Sequence, residues 1–387
     1  MTSLPEGWAL VRLGDHFTIT SSKRVFQRDW RTVGVPFYRA RELAVLGEKG
    51  RVDNELFIDR EMFDRYRRAF GAPSSGDFLV TGVGTLGKTY VVHPGDEFYF
   101  KDGNIIWFKA SATVDSFYLN QLYRTPFVLD QVFANSGGST VGTYTITNAK
   151  LTVIPLPPLE EQSAIAAALA DADDLIATLE RLIAKKQAIK QGMMQQLLTG
   201  RTRLPGFSDS WQPSRLGELS AYEQPGRYLV SSADYTDTGT PVLTAGKTFV
   251  LGHTSESHGI FTNVPVIIFD DFTTASKYVD FPFKAKSSAM KMLSARPGVN
   301  LRYIFERMQL IDFVTVDHKR RWIAEFSRIE ILTPGAEEQV AIAGVLEDAE
   351  TEIAVLARRL QKARAIKVGM MQQLLTGRTR LPVEAAP

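Results

Sequence analysis

The sequence predicts an α+β protein. Two globular, β-rich blocks alternate with two long helices that pair as an antiparallel coiled coil, giving an internal repeat of pseudo-twofold character. Three observations carry this. The stretch "GMMQQLLTGRTRLP" stands at 192–205 and again, unchanged, at 369–382, an offset of 369 − 192 = 177 residues. Apolar residues ahead of each copy recur at 4-3-4-3 spacing, which is a heptad seam. The intervening stretches carry β-branched and aromatic residues broken by glycine-rich turns. The division that follows is 1–154 for the first block, 155–205 for the first helical segment, 206–332 for the second block, and 333–387 for the second helical segment and tail.

The first block opens with "WALVRLGDH" at Trp8. Strands are expected in "DFLVTGVG", "EFYFKDGNIIWFKA" and "AKLTVIPL", with short helices near 61–68 and 118–133. The first helical segment follows Pro157-Pro158 and begins Glu160-Glu161-Gln162. Carboxylates suit the positive end of a helix. Its seam runs through Ile165, Leu169, Ala172, Ile176, Leu179 and Ile183 and resumes at Met193 and Leu197. Lys190 interrupts it, and Gly192 marks a candidate bend. At ~1.5 Å per residue such a helix is roughly 60 Å long. The second block opens with "WQPSRLGEL" at Trp211, sharing W-x-x-x-R-L-G with the first. Its strands are expected in "TPVLTAG", "VPVIIFDDFTT" and "RIEILTP", with a helix near 301–311. The second helical segment repeats Glu-Glu-Gln at Glu337-Glu338-Gln339. Its seam runs through Ile342, Leu346, Ala349, Ile353, Leu356, Leu360 and Ala363 and resumes at Met370 and Leu374, again broken by Lys367 ahead of Gly369. A seam needs a partner, and each copy supplies one for the other.

Composition sets outer limits. A chain of 387 residues holds two or three domains. Hydrophobic content of 44% and charged content of 23% are ordinary for a globular protein. A net charge of +2 means that any nucleic-acid site is a local patch. The absence of cysteine excludes disulfides and thiolate metal sites and fits a reducing cytoplasm. No signal-peptide core and no membrane-length apolar run are present, so a cytoplasmic protein without a membrane partner is expected.

"GVGTLGKT" at 82–89 fits the P-loop pattern G-x-x-x-x-G-K-[ST]. A P-loop continues into a helix, whereas here Tyr90-Val91-Val92-His93-Pro94-Gly95 reads as strand and turn. "VIIFDD" at 266–271 resembles a Walker B strand, yet "FLVTGVGTLGKTY" and "IIFDDFTTASKY" occupy comparable places in the two blocks. They read as one element in two copies, not as two halves of a nucleotide site. The polar turns ending in Lys88 and Lys277 expose N–H groups that suit phosphate oxygens. No Asn-Pro-Pro-aromatic tetrapeptide, H-E-x-x-H or Glu-x-Lys occurs, and the histidines show no metal spacing. Asp317-His318-Lys319 leads into the basic run Lys319-Arg320-Arg321-Trp322, which reads as a DNA-facing loop.

Two divergent blocks separated by near-identical helical segments, beginning Leu-Pro-Pro-Leu-Glu-Glu-Gln and ending Leu-Leu-Thr-Gly, resemble the specificity (S) subunits of type I restriction–modification enzymes. The W-x-x-x-R-L-G openings, "GTLGK" and "FTTASKYVDFPF" share in the resemblance, which covers essentially the whole chain. The second copy departs at Thr333-Pro334-Gly335-Ala336, where the first has Leu156-Pro157-Pro158-Leu159.

The resemblance implies that each block is a target recognition domain reading one half of a bipartite double-stranded DNA sequence. The helices would act as a ruler for the unread gap, with their length near Leu197-Leu198-Thr199-Gly200 setting it. They would also dock methyltransferase (M) subunits, two of them. S-adenosylmethionine would be bound by the M partner, and ATP and Mg by restriction (R) subunits. This chain would bind no cofactor or metal and catalyse nothing. On that reading Arg39, Arg41 and Tyr144 are candidate base readers in the first block. Lys88 and the turn Ser136, Ser139 and Thr140 are candidate phosphate contacts there. The second block offers Thr273, Thr274, Lys277, Lys319, Arg320, Arg321 and Trp322. Scaffold or partner contact falls to Glu161, Gln162, Met193, Met194, Leu197 and Leu198 and to their copies Glu338, Gln339, Met370, Met371, Leu374 and Leu375. Other readings are the specificity subunit of a related combined restriction/methylation enzyme, a protein-binding scaffold, and a nucleotide enzyme built on Lys88.

Overall fold

The computed structural model describes residues 4–134, 142–244, 246, 248–313 and 320–382. The chain divides into two compact units, Met1–Thr178 with Leu360–Pro387, and Leu179–Arg359. Two helices of 39 residues, Leu159–Leu197 and Ala336–Leu374, each give their first part to one unit and their last part to the other.

In the first unit a four-stranded antiparallel sheet runs in the order Ile19–Thr20, Ile105–Phe108, Phe78–Thr81, Thr89–Val91. A three-stranded sheet runs Phe57–Ile58, Val35–Tyr38, Tyr99–Phe100, its last pair parallel. Ala9–Arg12 and Val153–Leu156 form a separate antiparallel ribbon. Phe78–Thr81 and Ile105–Phe108 are buried along their whole length, so they read as continuous apolar runs rather than alternating ones. One side of the sheet packs on Tyr118, Leu119, Leu122 and the helix residues Ile165, Leu169, Leu374 and Leu375. The other packs on Leu43, Leu46 and Phe98.

The second unit has the same plan. Its four-stranded sheet runs Ser220–Glu223, Met290–Ala295, Val266–Asp270, Ser276–Val279, all antiparallel. Its three-stranded sheet runs Val250–Thr254, Thr240–Leu243, Lys284–Ala285, again with a parallel last pair. Gln212–Arg215 and Glu330–Thr333 form the ribbon. Two blocks with little common sequence therefore share one strand order. The first block adds two helices, Ala40–Lys49 and Arg60–Phe70, between strands whose counterparts in the second are joined without a helix among the described residues.

Three local readings change. Residues 149–151 belong to a short helix, Ile146–Leu151, capped by Thr145, whose side chain accepts from the Asn148 N–H. The expected helix at 118–133 is two, Ser116–Leu122 and Pro126–Ala134. Pro126 suits a first helical turn but would break a helix interior. Gly192 and Gly369 produce no break, because helix continues through both.

The repeated residues explain one another. In the first unit the buried Glu161 accepts from Trp8 Nε1 at 3.2 Å and from Arg380 Nε and Nη2 at 3.0 and 2.7 Å. In the second, Glu338 accepts from Trp211 Nε1 at 3.0 Å and from Arg203 Nε and Nη2 at 2.6 and 2.7 Å. A forked guanidinium on a carboxylate is a strong, directional contact. Each clamp ties the head of one long helix to the residues just past the tail of the other, so the helices run antiparallel within each unit. The next residue repeats as well. Gln162 Oε1 accepts from the Asp115 N–H at 2.8 Å, and its Nε2 donates to the carbonyls of Thr113 and Pro157. Gln339 Oε1 accepts from the Asn300 N–H at 2.9 Å, and its Nε2 donates to the Pro334 carbonyl. Asp115 and Asn300 are in turn the N-caps of short helices.

Glu161, Gln162, Met194, Leu197, Leu198, Glu338, Gln339, Leu374 and Leu375 are buried inside their own units. Their surface is covered by their own units, which fits the scaffold half of the reading and leaves these side chains little surface for a partner. Met193, Met370 and Met371 are half-buried against the same cores. Leu197 and Leu198 belong to the second unit's core, so an insertion beside them would disrupt packing rather than change a length.

The seam breaks are paired charges. Lys190 Nζ donates to Glu350 at 3.2 Å and lies 3.7 Å from Glu306. Lys367 Nζ donates to Asp173 at 2.5 Å. Glu350 stands 350 − 173 = 177 residues after Asp173, the same offset as the repeat. A polar pair in an apolar seam fixes register.

The glycine of W-x-x-x-R-L-G answers to close packing. A Cβ on Gly14 would lie 2.9 Å from both Cβ and O of Lys150, and one on Gly217 would lie 3.1 Å from Ser327 Cβ. Gly14→Ala is expected to cost about 1–3 kcal/mol through overpacking, and Gly217→Ala less. Denaturant unfolding measures both, and equal, negligible losses would remove this account of the motif.

Candidate nucleic-acid interface

The P-loop-like stretch is a hairpin turn between Phe78–Thr81 and Thr89–Val91. Its amides bond inward, Gly82 N–H to Asn104 O at 2.8 Å, Gly87 N–H to Thr81 O at 3.0 Å and Lys88 N–H to Thr81 Oγ1 at 3.0 Å. A nucleotide-cradling loop would leave them free. Tyr144 sits beneath the turn. Its N–H donates to Gly82 O at 2.8 Å, and its carbonyl would lie 2.5 Å from a Cβ on Gly82. Its hydroxyl bonds Tyr123 Oη at 2.9 Å and Thr152 Oγ1 at 2.7 Å, and the side chain is 2% exposed. Tyr144 is thus a floor residue, which corrects its reading as a base reader. Burial raises its pKa above the usual tyrosine value, outweighing the hydrogen bonds to Thr152 and Tyr123, which act to lower it.

Lys88 is half exposed and pairs with Glu48 at 2.5 Å. Arg39 and Arg41 flank the N-terminus of Ala40–Lys49 and share the carboxylate of Glu42, itself 2% exposed. Arg39 donates from Nε and Nη2 at 3.0 and 2.7 Å, and Arg41 from Nε at 3.1 Å. Burial acts to raise the Glu42 carboxyl. The Arg39 hydrogen bonds and charge outweigh it, leaving the pKa below the usual carboxylate value. A recess of about 350 Å³ opens beside these arginines, lined by Arg39, Ala40, Arg41, Val83, Gly84, Thr85 and Asn104. Sequence reasoning missed the helix, Glu42 and Asn104. The available signal was the Glu at the third helical position after Arg39, which forms a capping box.

Arg60–Phe70 presents exposed Arg65, Arg67 and Arg68. Lys23 Nζ lies 5.1 Å from the ring centroid of Phe70, an exposed aromatic at the end of that helix.

In the second block Thr273, Thr274 and Lys277 lie in or just after the corresponding hairpin turn, between Val266–Asp270 and Ser276–Val279. Asp270 Oδ1 accepts from the Phe272 and Thr273 N–H groups, and Thr274 holds φ of 60°. Thr273 and Lys277 are exposed. The basic run differs from its reading as a DNA-facing loop. Arg320 is exposed, but Arg321 and Trp322 are 3% and 2% exposed. Trp322 packs on Phe269 and Phe326 at 5.1 and 6.0 Å. Asp271 Oδ1 accepts from the backbone N–H groups of Arg321 and Trp322, and Asp271 pairs with the buried Lys291 at 2.9 Å. Burial of the indole and satisfaction of those amides draw the loop inward. Ser136, Ser139, Thr140 and Lys319 lie outside the described residues.

Two sheet domains of one topology, each locked to a repeated helical frame by the same clamp, define a class: an internally duplicated two-domain protein. Residues 5–191 match the family described as "Type I restriction modification DNA specificity domain". The chain is 52% identical to the EcoR124I/EcoR124II specificity subunit of Escherichia coli over 138 residues, 34% of each chain. It is 30% identical over 162 residues to the putative specificity subunit S.HindORF215P of Haemophilus influenzae, 41% of this chain and 39% of that one. These matches thus span a third to two fifths of those relatives. The putative MjaX specificity subunit of Methanocaldococcus jannaschii is 24% identical over 413 residues, 98% of this chain and 95% of that one. The S subunit structure from M. genitalium superposes with a TM-score of 0.63 at 14% identity, covering 97% of both chains. The HsdS subunit structure from Thermoanaerobacter tengcongensis gives 0.51 at 18%, covering 97% and 98%. At those identities the likeness establishes the fold. Residues 5–191 are thus similar to that specificity domain, and the relatives that the chain resembles are type I restriction enzyme specificity subunits. Among the described residues no helix is long and apolar enough to cross a membrane.

Proposed function

We propose that the chain confers DNA sequence specificity on a type I restriction–modification complex. Each sheet domain reads one half of a bipartite duplex target, and the two long helices fix the unread gap. The observation that carries this is one strand order built twice, with the repeated residues spent on the clamps and the differences confined to the domains that the clamps hold. Phosphate contacts position such a domain and base-edge contacts specify.

In this reading the chain is the non-catalytic member of the complex and works in the cytoplasm. Two M subunits bring S-adenosylmethionine and transfer the methyl group, and R subunits bring ATP and Mg. With the inward-facing scaffold residues excluded, the outer faces of the long helices are the surfaces open to M subunits. Leu175, Ile189, Val355 and Ile366 are exposed there.

Mapping methylated bases in cells carrying this chain and its M subunit tests the reading. A split recognition sequence is expected, and methylation by the purified chain alone would refute the non-catalytic role. Exchanging residues 1–154 for the matching block of a relative should change one half of that sequence and leave the other intact. Both halves changing together would count against independent readers.

A further inference from the structure

We infer that the recess beside Ala40–Lys49 reads a base edge in the half-site of the first block, through Arg41 and Asn104, with Glu42 as a positioning residue. This rests on the DNA-specificity reading above and deepens it.

The recess belongs to what distinguishes the two blocks. Its wall is a helix inserted between Val35–Tyr38 and Phe57–Ile58, and the corresponding strands of the second unit, Thr240–Leu243 and Val250–Thr254, are joined without one among the described residues. A specificity device must lie where the readers differ. The recess is also held in shape. The Glu42 carboxylate grips Arg39 with two side-chain hydrogen bonds and also accepts the Arg39 N–H at 3.1 Å. It binds Arg41 only through Nε, so the Arg41 terminal nitrogens stay available. That side chain is 70% exposed, and the next carboxylate, Glu55, lies 3.9 Å away and is itself 74% exposed. A surface contact of that length offers little competition. Asn104, which lines the same recess, is fixed by its carbonyl, which accepts from Gly82 N–H. Its side-chain amide makes no hydrogen bond among the described residues. Gly84 lines the same recess, and a Cβ there would meet no atom within 4 Å.

The chemistry favours a base edge over a phosphate. A phosphate offers acceptors only and would leave the Asn104 side-chain oxygen unmatched. Base edges in the major groove offer both kinds of group. A guanidinium fork suits guanine O6 and N7, and a carboxamide suits adenine N6 and N7. Arg41 keeps its fork direction because Glu42 holds Nε, and a guanidinium so held loses little freedom on binding.

The test uses the complex of this chain with its M subunits. Binding is titrated on the matched duplex and on duplexes altered at each half-site position, and methylomes are mapped for Arg41→Lys, Asn104→Ala and Glu42→Gln. Arg41→Lys and Asn104→Ala should each lower discrimination roughly 5- to 150-fold at one position of one half-site, with the other half-site unchanged. Arg41→Lys retains the charge, so its affinity for unrelated DNA should persist. Glu42→Gln should blur the same position as Arg41→Lys, and thermal unfolding separates that effect from loss of fold. Asn104→Ala does not depend on the clamp, so it tests the assignment even if Glu42→Gln unfolds. Equal weakening on every duplex would make these phosphate contacts and overturn the assignment, as would an Arg41→Ala variant that weakens binding uniformly and reduces the log–log salt slope by about 0.9. Unchanged half-sites in both surface variants would overturn it too. If the unaltered complex methylates no split sequence, the DNA-specificity reading itself fails, a result visible before any variant is made.

Discussion

Glu338→Ala should lower the stability of the Leu179–Arg359 unit by about 2–3 kcal/mol, and Glu161→Ala should lower that of the other unit somewhat less. Removing one member of a buried ion pair typically costs 3–5 kcal/mol, because the remaining charge is left without a partner. Both clamps fall below that range, because their arginines reach water. The Arg203 side chain is 26% exposed and the Arg380 side chain 46%, while the carboxylates are nearly covered. The more exposed Arg380 recovers more hydration, hence the smaller loss at Glu161. Each indole N–H also loses its acceptor. Denaturant unfolding of the single variants and of Glu338→Ala with Arg203→Met forms a double-mutant cycle. A loss under about 0.5 kcal/mol for Glu338→Ala would mean that the clamp decorates the frame rather than holding it.

Adding four residues to both long helices, after Thr178 and after Arg359, should lengthen the unread gap by one or two base pairs and leave each half-site sequence intact. At these points the chain passes from one unit to the other, so the insertions spare the clamps and both domain cores. Four residues add roughly 6 Å of helix and turn it only about 40° beyond a full turn. A base-pair step is ~3.4 Å. Inserting in both helices keeps the two seams matched in length, and a four-residue insertion locally unwinds a heptad pattern rather than destroying it. Two residues would rotate the helix by about 200° and should be far worse tolerated. Methylome sequencing decides. A longer gap with both half-sites retained supports the ruler, whereas full activity at the original gap, or an altered half-site, removes it.

The frame was largely legible in the sequence because its signals are periodic or repeated. The seam residues Ile165, Leu169, Ile342 and Leu346 are buried as the heptad pattern requires. The shared hairpin behind "GTLGK" and "FTTASK" followed from its place in the repeat. Roles were harder to read than places. Glu161 and Glu338 looked like helix-end carboxylates because the arginines and indoles that bind them come from segments more than a hundred residues away. Tyr144, Arg321 and Trp322 looked like surface groups because an irregular loop has no period from which to tell inside from outside. The Ala40–Lys49 helix was missed because its buried residues are only Glu42, Leu43 and Leu46, and a buried glutamate adds nothing to an apolar pattern.

One unit is continuous along the chain and the other is not, which sets an order for the nascent polypeptide. Leu179–Arg359 has every residue it needs once Arg359 has left the ribosome. The unit that begins at Met1 lacks Leu374, Leu375 and Arg380 until they too have been made. During that interval Ile165 and Leu169 have no partner from the second helix, and Glu161 has no guanidinium. Domains tend to fold N-terminal first during synthesis; here the earlier block is the later to close. A message truncated between the codons for Arg359 and Leu374 would therefore release a chain with one finished unit and one apolar helix face open to water. Such surface is what holdase chaperones bind and what drives aggregation.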